Sequence, residues 1–443
     1  MARHFLRQRS FPSSCKPLIG VLLGASLVIA GVGVTGPANA ATRVVSNCND
    51  SGSGSLRSAV SGAASGDVID LTGLTCNRIV FTLGWITVAQ DNLRLVGPGR
   101  FALTLDGNNT VRIFRHTGSG TLRIERMSLA NGRYRGRGGC ILSEAGNVEL
   151  IRARVHHCRV DGDVTSGGGI DAFGNVLLSR SSVFANATAD RGSGGGISAF
   201  RKVTLYRSQV YANTAGPAGG IRAGEVEATY SLIHGNQGSS FGGGVFSTGR
   251  VVLNKSTVSA NRARTDRINA RAWGGGIVAG SGSLVIDSTI SGNTASAVGG
   301  ASFGAVTIIN STIAFNLDET ANPEDNQCDG ALSAFTLRLE NSIVARNRCS
   351  AGPPWDIDFT TITGSNNLIE WSKSNVPADT LLYTDPRLAP LAENGGPTRT
   401  HMPLADSPAI NRGHNDFNRE TDQRGPGFAR VKGAFPDIGA IER

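Results

Sequence analysis

The sequence predicts an all-β protein built as a right-handed parallel β-helix, and two repeated patterns carry that prediction. The first is a set of residues at offsets of 0, 2, 5, 7 and 10 from the start of each copy. One copy consists of Val176, Leu178, Ser181, Val183 and Asn186. Later copies keep the same offsets and end at Asn213, Asn236, Asn261, Asn293, Asn316 and Asn347. A single copy cannot bury its own apolar side, so the copies must stack as parallel turns of a coil.

The second pattern lies between the copies and consists of two glycines followed by an aliphatic residue, as in Gly168-Gly169-Ile170 and Gly195-Gly196-Ile197. Residues that alternate with period two indicate strands, so each turn is expected to hold about three short strands. We expect the glycine pair to form one sharp corner. The offset-10 asparagines should form another, in the left-handed conformation, and bond along the axis as an amide ladder. An antiparallel sandwich would not keep residue identity at equal offsets, and no aspartate recurs behind the glycines as in calcium-binding nonapeptide rolls.

The first forty residues are predicted to be a secretory signal. They contain four basic residues and no acidic one, then the apolar run Leu18–Ala30 and the small-residue site Ala38-Asn39-Ala40. The chain has 59 glycines and only 6% aromatic residues, which is unusual for a two-layer globular protein, while 40% hydrophobic residues exclude general disorder. No second apolar stretch reaches membrane length. These features argue against a cytosolic enzyme and an integral membrane protein, and predict a secreted or outer-envelope protein without a transmembrane segment in its mature form.

Three further regions follow the signal. Residues 41–75 are predicted to cap the open end of the coil, with a strand and a short helix over 42–66, since Leu56, Ala59, Val60 and Ala63 follow a helical stripe. Ser53 or Ser55 would be the N-cap, and Gly62 or Gly66 would lie near the end. Residues 76–351 hold the repeats. Residues 352–443 lose the repeat and are predicted to form a C-terminal cap.

Six cysteines remain after the predicted signal, and an even number in a secreted chain indicates disulfides. Six cysteines allow 15 pairings. Their neighbours along the chain suggest the pairs Cys48–Cys76, Cys140–Cys158 and Cys328–Cys349.

Two regions resemble known families. The glycine-pair motif together with Val-x-x-Asn (Val183-Phe184-Ala185-Asn186) resembles the repeats of polymorphic outer-membrane proteins, which belong to the pectin-lyase-like β-helix group. The tail resembles the choice-of-anchor Q domain in Asn394-Gly395-Gly396-Pro397, Asp422-Gln423-Arg424-Gly425 and Asp437-Ile438-Gly439-Ala440. The resemblance implies an extracellular or envelope β-helix and assigns no reaction.

The offset-4 row is the first candidate binding site. Stacking places equivalent residues of successive turns about 4.7–4.9 Å apart, and offset 4 is expected to point outwards. The row reads Arg126, Arg152, Arg180, Arg207, Tyr230 and Lys255, followed by Asp287, Asn310 and Asn341. Like charges this close repel unless solvent, acids or an anionic ligand compensate. The row therefore predicts either a site for an anionic polysaccharide or a solvated face in an arginine-rich chain.

The second candidate site is a groove over the strands that follow the glycine pairs, with Asp171 and Arg222 as candidate catalytic residues of a polysaccharide lyase. Such a reaction would need a base and commonly calcium. No row provides the facing carboxylates of a glycosidase, so a non-catalytic surface or matrix-binding protein is favoured. His156 and His157 are expected to point to opposite faces of a strand, which argues against a metal site. We expect a monomer that uses no cofactor, unless calcium serves a lyase, and binds no nucleic acid.

Overall fold

Residues of successive turns stand in the register that the repeat predicts. The computed structural model describes residues 40–189, 191–265, 271–319, 330–350, 355–358 and 361–443, so the predicted signal lies outside the described residues. Val176 pairs with Val203, and Val183 pairs with Val210. All strand-to-strand pairing described in these ranges is parallel, apart from isolated bridges near the C-terminus. The predicted parallel β-helix is confirmed.

The strands of the coil fall into four rows. Row 1 comes directly after the glycine pair in each turn that has one. It contains Ile86–Val88, Phe114–His116, Ile141–Ser143, Ile170–Ala172, Ile197–Ala199, Ile221–Ala223, Val245–Ser247, Ile277–Ala279 and Ile357–Asp358. Row 2 contains Thr42–Val44, Val68–Asp70, Leu93–Val96, Thr121–Glu125, Asn147–Ile151, Val176–Ser179, Lys202–Tyr206, Glu225–Thr229, Val251–Asn254, Ser283–Ile286 and Thr361–Ser365. The longer strands Ala301–Ile309 and Leu332–Glu340 run through both rows and join them into one sheet.

Row 3 forms a separate, unbroken stack along the coil. It contains Arg78–Val80, Thr104–Asp106, Ser128–Ala130, Arg154–His156, Ser182–Phe184, Gln209–Tyr211, Leu232–His234, Thr257–Ser259, Thr289–Ser291, Thr312–Ala314, Ile343–Ala345, Leu368–Ile369 and Leu381–Leu382. Row 4 is short and falls into two stacks. These are Arg133–Arg137, Arg159–Ser166 and Ala187–Thr188, and then Gln237–Gly238, Arg262–Ala263, Thr294–Ala295, Leu317–Asp318 and Arg348–Cys349. The apolar residues at offsets 0, 2 and 7 point inwards and form one continuous core along the coil.

The offset-10 asparagines form the predicted amide ladder inside the coil. Asn186 Nδ2 donates to Asn213 Oδ1 at 3.0 Å, and the same bond recurs from turn to turn as far as Asn347. At that end Asn347 Nδ2 donates to Asp356 Oδ1 at 2.7 Å, so a carboxyl group terminates the ladder. Burial raises the pKa of Asp356 to about 8.

The expectation that these asparagines adopt the left-handed conformation was wrong. The residue before each of them does so, as Ala185 (φ 52°) and Ala212 (φ 52°) show. The asparagine is buried because its amide must reach the next rung, while the preceding residue turns the chain at the outer corner. The offset-5 serines form a second ladder, in which the backbone N–H of one serine donates to the hydroxyl of the serine in the next turn. Ser181 N–H, for example, donates to Ser208 Oγ at 3.1 Å.

The glycine pairs are needed for close approach rather than for an unusual φ. The left-handed residue is the one before the pair, for example Gly167 (φ 62°). A Cβ on Gly168 would lie 2.3 Å from the carbonyl oxygen of Gly195 in the next turn. A side chain there would therefore push two turns apart.

The N-terminal region contains a strand and a short helix. Strand Thr42–Val44 pairs with Val68–Asp70, and the helix α1 (Leu56–Ser61) buries Leu56 and Val60. Ser55 is the N-cap, since its side chain accepts from Ser58 N–H, and Gly62 is the C-cap. The disulfides Cys48–Cys76 and Cys140–Cys158 are confirmed. Cys349 is disulfide-bonded, and Cys328 lies outside the described residues.

The coil does not end with the recognisable repeat at residue 351, because strands continue to pair as far as Leu381–Leu382. Ile362, Gly364, Asn367 and Ile369 keep the offsets 0, 2, 5 and 7 with different side chains. Residues 383–443, which we call the C-terminal segment, are irregular and lie against the outside of row 3 in the later turns. Gln423 Nε2 donates to Thr257 Oγ1 at 3.0 Å, and Ala440 N–H donates to Thr312 Oγ1 at 3.1 Å.

Candidate functional site: an arginine-rich face

Every residue of the offset-4 row stands at the corner between rows 2 and 3 in the left-handed conformation. The φ angles are 56° for Arg126, 50° for Arg152, 52° for Arg180 and 48° for Arg207. This conformation directs each side chain away from the core, and all four arginines are exposed. The stacking therefore brings these four predicted site residues into one row on consecutive turns.

None of these four arginines forms an ion pair with a carboxylate in the part of the chain that the structure describes. Most other arginines do, as in the pairs Arg94–Glu125 at 2.7 Å and Arg133–Asp161 at 2.6 Å. The chain thus places acids beside many of its cations, while no described acid compensates this row. Neighbouring unit charges about 5 Å apart repel by about 1 kcal/mol in water.

Two further arginines broaden the row into a face. Arg100 reaches along the corner and donates through Nη1 to the carbonyl oxygen of Arg180 at 3.1 Å. The guanidinium of Arg154 lies 5.0 Å from the ring centroid of Phe101 and 4.8 Å from that of Phe184. We call Arg100, Arg126, Arg152, Arg154, Arg180 and Arg207 the arginine face. Two open clefts of about 320 and 430 Å³ lie along it.

Sequence reasoning missed Arg100, Phe101 and Arg154. Arg154 is at offset 6 of its copy, an outward position of row 3, so the repeat contained the signal for it. Arg100 and Phe101 lie in an insertion between rows 2 and 3 where the early copies lose their pattern. Only the folded chain shows that this insertion reaches over later turns.

An aromatic stack on row 3 borders the arginine face. His156, Phe184, Tyr211 and His234 occupy equivalent positions, and consecutive ring centroids are 4.8, 4.8 and 5.0 Å apart with interplanar angles of 13° or less. Each ring covers the face of the next, so mainly ring edges are left for a ligand. Ring edges are the positive part of the aromatic quadrupole. The stack therefore favours negatively charged oxygens over the apolar faces of sugars.

Strand alternation predicted that the adjacent residues His156 and His157 point to opposite faces. In the structure their rings lie side by side. His157 occupies the left-handed corner (φ 54°), which brings its Nδ1 to 2.8 Å from Nδ1 of His156. Burial, with a smaller contribution from Arg154, lowers the pKa of His156 to about 4, so this ring is neutral at neutral pH. Within the described ranges no group of three or more histidine, cysteine or acidic residues is arranged to hold a metal ion.

The far end of the row does not belong to the exposed face. Tyr230 is half-buried, with the Arg207 guanidinium 5.5 Å from its ring centroid. Lys255 is buried, and its Nζ donates to Asp287 Oδ2 at 3.1 Å and to the carbonyl oxygens of Thr421 and Asp422. Burial lowers the pKa of Lys255. The prediction of Lys255 as a ligand-binding residue is therefore corrected, because the C-terminal segment covers it.

The candidate catalytic residues of the lyase hypothesis do not meet. Asp171 and Arg222 belong to the same outward column of row 1, but Ser198 lies between them in register. Asp171 is 1% exposed, and its carboxylate accepts hydrogen bonds from Arg137 Nη2 at 2.6 Å and from Ser166 Oγ. Burial raises the pKa of Asp171. No second carboxylate faces Asp171 in this column among the neighbouring turns.

Comparisons with known proteins leave the family open. No family model matches the chain, and no curated protein matches its sequence. One similar solved structure is the pectate lyase Pel9A, with 15% sequence identity and a TM-score of 0.46, over 91% of this chain and 98% of that chain. A likeness this distant does not extend to individual residues or to a reaction. In the described part of the chain, no helix is both long and apolar enough to span a bilayer.

Proposed function

We propose that this protein is a secreted, non-catalytic binding protein that holds a linear anionic polysaccharide along the arginine face. The observation that carries the proposal is the row Arg126, Arg152, Arg180 and Arg207, exposed on four consecutive turns without a carboxylate partner among the described residues. The choice-of-anchor resemblance of the tail and the predicted signal agree with a role outside the cytoplasm.

The coil itself does not require arginine at these corners. The second left-handed corner of each turn accepts small and varied residues, among them Ala185, Ala212, Gly235 and Ala260. The left-handed conformation costs about 1–2 kcal/mol for most non-glycine residues and less for asparagine and aspartate, so arginine has no conformational advantage at such a corner. Four consecutive arginines at the other corner therefore add charge repulsion, which contacts such as the hydrogen bond from Arg126 Nη2 to the carbonyl oxygen of Pro98 at 3.0 Å do not relieve. A polyanion would remove that repulsion.

The spacing and the chemistry of the face select the ligand class. Guanidinium groups bind carboxylates and sulfates through two parallel hydrogen bonds. Their repeat of one turn, about 4.8 Å, suits a polymer that carries a negative group on each successive unit. The covered ring faces of the aromatic stack offer little to a neutral sugar. Polyuronates and sulfated glycans are the expected ligands, and neutral glucans are not.

The test is a binding titration with polygalacturonate, alginate, heparin and dextran. The wild type should bind one or more of the three polyanions and should not bind dextran, and raising the salt from 50 to 500 mM should weaken binding at least tenfold, because exposed charges are screened. The triple variant Arg152/Arg180/Arg207→Ala should lose binding at least a hundredfold.

A matched control separates the site from net charge. The variant Arg159/Arg250/Arg387→Ala removes the same number of positive charges from exposed arginines that are paired with Asp161, Glu225 and Asp406. It should bind as the wild type does. Equal loss in both triple variants, or no polyanion binding by the wild type, would refute the proposal.

A further inference from the structure

A buried arginine away from the arginine face has no counter-ion among the residues that the structure describes. Arg112 is 2% exposed, and its guanidinium carbon lies 3.8 Å from the ring centroid of Tyr134 and 5.7 Å from that of Trp85. No carboxylate of the described residues lies within ion-pair distance of it. Burial lowers the pKa of Arg112 to about 10, which still leaves the group charged at neutral pH. An unpaired buried charge is costly, so this one calls for an explanation.

Arg112 forms part of the wall of a cleft of about 420 Å³ between row 1 and the first strand of row 4. The other lining residues include Trp85, Arg115, Tyr134, Arg137 and Glu144. Their charges are almost fully matched. Arg115 forms a two-point pair with Glu144 at 3.0 and 3.2 Å, and Arg137 donates to Asp171 at 2.6 Å. One positive charge, that of Arg112, is left over.

The hydrogen bonds of Arg112 show which atom is available. Nε donates to the carbonyl oxygen of Gly138 at 2.8 Å, and Nη2 donates to that of Arg137. Nη1 has no acceptor among the described residues. A guanidinium held by two carbonyls and an aromatic ring is fixed in place, so a ligand that bonds to Nη1 would not have to order it.

We propose that this cleft binds a single carboxylate carried on a ring, such as a uronic acid sugar or an aromatic acid. The carboxylate would pair with Arg112, and the ring would lie against Trp85 and Tyr134, whose rings are 5.7 Å apart at an angle of 88°. Because Arg112 is the single unmatched charge in the cleft lining, the ligand is expected to carry one negative group there and need not be a polymer. The cleft shares no lining residue with the arginine face, so this proposal does not depend on the proposed function.

The experiment uses isothermal titration of residues 41–443, the chain without its predicted signal, with sodium galacturonate and sodium benzoate, and with methyl galacturonate ester as the neutral control. Saturable millimolar binding of at least one acid and none of the ester is expected, and the stronger acid tells whether a sugar or a flat ring is preferred. Arg112→Gln should weaken that binding at least tenfold.

A second pair of variants decides the matter even if Arg112→Gln does not fold. Glu144→Gln frees Arg115 within the cleft and should strengthen binding of the acid at least threefold. Glu149→Gln removes the same charge from the pair with Arg123, which is not part of the cleft lining, and should bind as the wild type does. Absence of acid binding to the wild type, or equal effects of Glu144→Gln and Glu149→Gln, would overturn the proposal.

Discussion

The two halves of the offset-4 row have the same backbone conformation and opposite surroundings. In the early turns the row consists of exposed arginines without carboxylate partners in the described chain. In the later turns it consists of Lys255, Asp287, Asn310 and Asn341, which are all buried. Asn341 Nδ2 donates to Asn310 Oδ1 at 2.9 Å, and Asn310 Nδ2 donates to Asp287 Oδ1 at 3.1 Å.

The C-terminal segment accounts for the difference. Arg419 donates to Asp287 Oδ2 at 2.7 and 2.9 Å, and the Thr421 and Asp422 carbonyl oxygens accept from Lys255. Where the segment covers the row, the side chains satisfy one another. Where it does not, they carry like charges. The left-handed corner thus accepts many types of side chain. Whether a polar network or a row of like charges stands there depends on whether the C-terminal segment covers the corner.

The largest loss of stability should come from a substitution in the covered half of the row, from Lys255 to Asn341, which lies under the C-terminal segment. The other half, from Arg126 to Arg207, is called the bare half. Asp287 is fully buried between Lys255 and Arg419, so Asp287→Asn should leave two cations without their carboxylate and cost about 3–5 kcal/mol. Urea unfolding measures it. Arg126→Asn, at the same corner of the bare half, should change the free energy of unfolding by less than about 1 kcal/mol. Similar losses at both sites would contradict the contrast between the halves.

Substitutions in the asparagine ladder should cost the same stability in both halves of the coil. Asn213→Ala and Asn293→Ala each remove an amide that accepts from the rung before it and donates to the rung after it. Each should cost about 2–3 kcal/mol, because a buried N–H loses its acceptor. The measurement is again urea unfolding. A difference of more than about 1 kcal/mol between the two variants would show that the halves differ in their cores as well.

The end of the ladder should respond to pH. The pKa of Asp356 is about 8 in the folded protein and near 3.8 in an unfolded chain, so the folded state holds a proton that the unfolded state releases. This contribution to stability is present below about pH 4 and is lost as the pH rises towards about 8. Asp356→Asn carries no titrating group, but it loses the acceptor for Trp371 N–H. Its stability deficit relative to the wild type should therefore shrink between pH 5 and pH 9, and a constant deficit would contradict the assignment.

The smallest effect should appear in the bare half. Arg152→Asn places a residue that tolerates the left-handed conformation at φ 50° and removes a repulsive charge, so stability should rise by up to about 1 kcal/mol. Thermal unfolding measures the gain, and polyanion binding should fall in the same variant. Lower stability would show that Arg152 supports the coil.

Much of this arrangement could be predicted from the sequence. The equal offsets predicted that Val176 pairs with Val203, that Asn186 belongs to an amide ladder and that Arg126 and Arg207 lie in one row. They did so because residues at the same offset in a stacked repeat lie above one another on successive turns. The left-handed corners were assigned one residue too late, since the chain turns before the buried asparagine. The closeness of His156 and His157 was missed for the same reason.

What the sequence alone determined is the coil, because its strands pair with equivalents one period away and each apolar residue recurs at a fixed offset. What only the tertiary structure decided is which parts of the surface stay free. The C-terminal segment bonds to residues more than 100 positions earlier, and Arg112 meets Trp85 and Tyr134 from other turns. No local pattern encodes such contacts, since they depend on where the irregular segments come to lie.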